Sequence, residues 1–85
     1  MIWLGKEIDL ALTKKHNLFH LLTDRERIVI EGRCNGMTRK AIGLEMTKVK
    51  DSTPISGERV RQIESKALRR CRKEMIRLEV YYETT

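Results

Sequence analysis

The run from Ile55 to Arg72 constrains this chain more than any other stretch, because one secondary structure reconciles its apolar and polar positions. At 3.6 residues per turn, Val60, Ile63, Ala67, Cys71, Met75 and Leu78 fall on a single stripe, the spacing by which a helix buries one face. Ser56 stands just ahead of the periodic run as an N-cap, and Pro54 forbids a helix entering from the preceding loop. The spacing predicts a long helix that starts at Ser56 or Gly57 and continues to about Glu79. Roughly opposite the stripe stand Glu58, Arg61, Gln62, Ser65 and Arg69, side chains of the kinds that hydrogen-bond base edges or phosphates. Between Gly57 and Leu78, eight Lys and Arg stand against three Glu, a local net of +5 within a whole-chain net of +6. A charged helix face is ordinarily just solvated surface. Here the scarcity of acids, the mixture of donors and acceptors in the first two turns and the helical pattern upstream point to a surface that meets a polyanion.

The chain's 85 residues suffice for one domain, residues 1–85, of about four helices, but not for a catalytic cleft between lobes. Trp3, Phe19, Tyr81 and Tyr82 lie outside the basic stretch, which argues against base stacking on aromatic side chains and favours duplex DNA. Cys34 and Cys71 have no paired spacing, so no disulfide framework is expected. His16 and His20 stand four apart without a third ligand type beside them, and no metal or cofactor is expected. With no nucleophile and base pairing and no Gly-rich phosphate loop, the chain is not read as an enzyme. Its first residues lack a secretory pattern and no segment has the length of a membrane span, so a cytoplasmic protein is expected.

A first helical segment is predicted from about Gly5 to His20, with Ile8, Ala11, Leu12, Leu18, Phe19 and Leu22 at helical spacing. Thr23 and Glu26 form a capping box for a second helix that carries Ile28, Val29 and Ile30 and ends near Cys34, ahead of Asn35-Gly36. Thr38 caps a short helix from Arg39 to about Met46, with Ile42 and Met46 inward and Gly43 small enough for another helix to approach. The polar segment Thr47 to Pro54 reads as loop, and Val80 to Thr85 as a tail. Ile2, Trp3, Leu4, Ile8 and Leu12 are available either to close the core or to form a dimer interface.

Leu22-Thr23-Asp24-Arg25-Glu26-Arg27-Ile28-Val29, then Thr38 to Met46, then Arg59-Val60-Arg61-Gln62-Ile63-Glu64-Ser65-Lys66-Ala67-Leu68-Arg69-Arg70, resemble region 4 of bacterial sigma factors. The resemblance spans roughly Leu21 to Lys73, and its last block is the more specific part. It implies an all-α fold, a small helical bundle with a helix-turn-helix over residues 21–79 behind an N-terminal segment of about residues 1–20. It also implies promoter DNA and the β flap of the RNA polymerase core as partners. By position it places base and phosphate contacts at Gly57, Glu58, Arg61 and Gln62, with Arg59 and Arg69 on the backbone. Ser56, Ser65, Lys66 and Lys73 on the same helix, and Thr38, Arg39 and Lys40 on the preceding one, complete the expected DNA-contacting set.

Two departures stand out. Gly57 occupies a position where the family often has a long polar residue, so one base contact is missing. The turn, Thr47 to Ile55, exceeds the ordinary three or four residues, either adding Lys48 and Lys50 as phosphate contacts or serving only as a tolerated surface loop. The chain is too short for a complete sigma factor and resembles free-standing transcription regulators, including those of bacteriophages. The expected function is a sequence-specific duplex-DNA-binding transcription regulator that also touches RNA polymerase. The alternatives are a module that occupies the polymerase flap or a sigma partner with weak DNA binding, and a helix-turn-helix DNA-packaging or recombination protein.

Overall fold

The computed structural model describes residues 5–48 and 53–78, and every element in them is helical. In chain order these are α1 (Lys6–Lys15), a 3-10 turn (Leu18–Leu21), α2 (Asp24–Cys34), α3 (Arg39–Leu44) continuing as a 3-10 turn (Glu45–Lys48), and α4 (Gly57–Arg77).

Local chemistry sets each boundary. The Thr23 hydroxyl accepts from the Glu26 N–H at 3.3 Å while the Thr23 N–H donates to Glu26 Oε1 at 3.0 Å, a complete capping box on α2. At its other end Gly36 takes a left-handed φ of 80°, and Met37 N–H and Gly36 N–H reach back to the Gly32 and Arg33 carbonyls, closing the helix as a Schellman motif. Thr38 caps α3 through the Ala41 N–H at 3.1 Å, and Ser56 caps α4 through the Arg59 N–H at 3.2 Å.

The long α4 is the element on which α1, α2 and α3 all pack. Val60, Ile63, Ala67 and Leu68 meet Val29 and Ile30 of α2 and Ile42 and Met46 of the α3 segment in one cluster. Cys71 and Met75, further along the same face, close a second cluster with Leu12 and Leu18. Leu12 is buried there and Ile8 packs beside it, so these two serve the chain's own core, whereas Ile2, Trp3 and Leu4 lie outside the described residues.

Four expectations are corrected. The first segment is not one helix to His20: α1 stops at Lys15, and Asn17, left-handed at φ 51°, turns the chain into the 3-10 segment. Ala11 on α1 is exposed, because the helix presents Leu12, and not its neighbour, to α4. Leu78 is 44% exposed although it falls on the apolar stripe. A stripe is buried only as far as a partner runs along it, and the cluster with Leu12 and Leu18 takes in Met75 and stops. Finally, Thr47 and Lys48 remain helical as part of the 3-10 turn, so the loop begins later than composition suggested. The tail and Lys50 lie outside the described residues.

The far side of the long turn is pinned next to its near side. Ile55 N–H donates to the Gly43 carbonyl at 3.1 Å, and a Cβ on Gly43 would collide with the Ile55 carbonyl oxygen. Gly43 is thus required for the loop ahead of α4 to lie against α3, and Val60 of α4 approaches at the same point.

Candidate nucleic-acid interface

The first turn of α4 rests directly on the first turn of α3. A Cβ placed on Gly57 would stand 3.5 Å from the Lys40 nitrogen and 3.6 Å from the Arg39 Cβ, an ordinary contact. The two N-termini therefore open on one side of the molecule, with their caps, Thr38 and Ser56, both exposed.

From that end, α4 presents Glu58, Arg59, Arg61, Gln62, Lys66, Arg69 and Lys73 to solvent, with Ser65 half-buried among them. Side-chain pairs pre-arrange the row. Arg61 Nη2 lies 2.6 Å from Glu58 Oε1 and its Nε lies 3.0 Å from Oε2, a two-pronged contact one turn apart. The hydrogen bond from Arg61 holds the Glu58 carboxyl below its ordinary value, and the same bond raises Arg61. Arg59 Nη1 donates to Gln62 Oε1 at 3.2 Å, and the Gln62 side chain adds a hydrogen bond to Glu58.

Other cations of α4 already have partners within the chain. Arg70 Nη1 reaches Glu26 Oε1 at 2.6 Å and the Leu21 carbonyl at 3.3 Å. Arg72 Nε stands 4.0 Å from the buried Asp9 of α1. Arg77 pairs with Glu74 on its own helix. Arg70 and Arg72 therefore work as ties between helices, and the basic residues left to face a polyanion are fewer than the sequence count.

Of the residues expected on α3, Lys40 is exposed, while Arg39 is half-buried and turned to Glu64, with its Nη2 3.3 and 3.4 Å from the two carboxylate oxygens. The expected set is thus brought to one face, with Arg39 drawn beneath it and Gly57 contributing backbone alone.

Sequence reasoning missed Glu64, Leu68, Arg25 and Arg70. Glu64 and Leu68 are fully or almost fully buried, and the helical wheel carried that signal: both fall beside Val60 and Cys71 on the inward arc. Arg25 lines a groove between the start of α2 and α4, together with Thr23, Arg59, Gln62, Lys66 and Arg70. Its basic lining, with Glu26 occupied by Arg70, suits a phosphate strand running alongside the row on α4. Among the described residues, no group of three or more His, Cys, Asp and Glu could hold a metal, and no helix is long and apolar enough to cross a membrane.

A protein-family model described as sigma-70, region 4, matches residues 18–73, well over half of the chain and all of α2, α3 and the exposed row through Lys73. Searches of curated proteins and of solved structures each found no significant match.

Proposed function

The chain belongs to the sigma-70, region 4, family, and from that premise we propose that it reads a specific duplex sequence at promoters and acts there together with RNA polymerase, touching the β flap of the core enzyme. Family membership makes it a DNA-binding helix-turn-helix domain of transcription. The observation that carries the finer reading is the exposed, mixed donor and acceptor row over the first two turns of α4, opening beside the N-terminus of α3. Glu58, Arg61 and Gln62 enter the major groove: a carboxylate accepts from a cytosine amino group, a guanidinium donates to guanine, and an amide pairs with adenine. Ser56, Thr38 and Lys40 meet the phosphates where the two helices begin. Arg59, Ser65, Lys66, Arg69 and Lys73, with Arg25 across the groove, follow the strand and fix the register without reading sequence. Arg39 supports the contact from beneath.

Selection of bound duplexes from a random pool tests this reading, followed by capture of RNA polymerase core on the immobilised protein. A defined motif together with core binding is the expected result. Core binding with no motif would replace it with a polymerase-occupying module, and neither would overturn it altogether.

A further inference from the structure

Glu64 has a carboxylate side chain and no exposed surface, so it cannot touch a duplex, yet it lies two residues beyond Gln62 and three beyond Arg61 on the same helix. Its carboxylate holds the Nε of Arg33, from α2, at 3.3 Å and the Nη2 of Arg39, from α3, at 3.3 and 3.4 Å. Arg33 in turn donates from Nη1 to the Met37 carbonyl at 3.0 Å, tying the same cluster to the turn between α2 and α3. Arg39 meets α4 a second time through its Cβ, which lies against Gly57. Gly57 and Glu64 are about 10 Å apart along the axis at 1.5 Å per residue. Two contacts so separated hold the angle between α3 and α4, and the third, from Arg33, opposes a roll of α4 about its own axis. A roll of about 10° moves a side-chain tip at the helix's outer radius of about 6 Å by about 1 Å. That displacement takes a hydrogen bond made at about 2.9 Å out of its useful range.

We propose that Glu64 is a positioning residue for base reading: through Arg39 and Arg33 it sets the orientation of α4 in which Glu58, Arg61 and Gln62 meet bases together. The proposal rests on the DNA-reading function put forward above. It makes sequence preference, and not stability alone, depend on a side chain that DNA never contacts.

The test is the affinity ratio between a duplex selected from a random pool and a scrambled duplex of equal length. It is measured at one salt concentration and at a temperature where circular dichroism shows each variant fully folded. Glu64→Gln keeps the volume and removes the charge. Arg39→Met removes one guanidinium but leaves Glu64 paired with Arg33, so it serves if Glu64→Gln does not fold. Either variant is expected to lose about tenfold in the ratio, the worth of one good base contact, with affinity for the scrambled duplex unchanged or raised in Glu64→Gln and lowered less than that for the selected duplex in Arg39→Met. A folded variant that keeps the wild-type ratio overturns the proposal while leaving the DNA-reading function intact. A wild-type protein without any preference overturns that function and the proposal with it.

Discussion

A single oxygen, Glu26 Oε1, accepts both from Arg70 of α4 at 2.6 Å and from the Thr23 backbone N–H at 3.0 Å, so the cap of α2 and its attachment to α4 are one structure. Burial pushes this carboxyl up, but the Thr23 N–H and the Arg70 guanidinium outweigh burial and leave it below its ordinary value. A depressed carboxyl contributes stability that is present above its unfolded pKa and lost as pH falls through its folded one. We therefore expect wild-type urea midpoints to fall between about pH 6 and pH 3. Glu26→Gln should cost about 1 kcal/mol near neutrality, Arg70 being partly solvated, and should lose less over the acid interval. Equal acid losses in the two proteins would remove Glu26 as a cause.

Two glycines should respond in opposite ways to the same substitution. Gly43→Ala drives a methyl into the Ile55 carbonyl and should destabilise by about 1–3 kcal/mol, against a gain in helix propensity of about 1. At Gly57 the nearest atoms are 3.5 Å away, so Gly57→Ala should be neutral or stabilising by up to about 1 kcal/mol. Thermal melts of the two variants check both, and a Gly43→Ala protein as stable as wild type would mean that the loop yields.

DNA affinity should fall steeply with salt, with a log–log slope of about −0.9 for each phosphate neutralised. Lys66→Ala and Lys73→Ala, both at exposed positions, should weaken selected and scrambled duplexes alike and make the slope shallower by about 1. Arg72→Ala, by contrast, should act chiefly on stability, because Arg72 faces Asp9. Titration at a series of salt concentrations separates these cases, and a flat dependence would sink duplex binding.

Gln62→Ala or Glu58→Ala should lower discrimination between target and scrambled duplex by about 1–3 kcal/mol per lost base contact. Stability should change little, since both side chains are exposed. The Glu58→Ala protein also frees Arg61 from its partner, so its affinity for the scrambled duplex should rise as its preference falls. If both variants retain the wild-type ratio, neither position reads bases.

Helix starts were legible in the sequence because they are local chemistry: Thr23, Thr38 and Ser56 each cap the helix expected of them. The inward stripe through Val60, Ile63, Ala67 and Cys71 was legible for a similar reason, a period of one helix seen in one helix. What escaped was whatever depends on a second element. The wheel puts Arg69 opposite the stripe and Arg70 and Arg72 on its flanks, but only the approach of Glu26 and Asp9 gives those two their partners. Glu64 entered the sequence reading only as a charge, although its place on the wheel was inward, because its arginine partners lie about 25 and 31 residues away in sequence. Leu78 shows the converse, a periodic apolar residue beyond the reach of its partners.

The hydrogen bond from Ile55 to Gly43 gives the molecule an unexpected modularity. That bond sets α4 beside α3 at the very point where α4 begins, and packing through Val60, Ile63, Leu68 and Met75 holds it thereafter, so contacts among the described residues already fix the register of the two halves of the motif. These contacts join one piece carrying the first three helices to another formed by α4. Split between Lys48 and Thr53 and co-expressed, the fragments should find each other and rebuild the same face.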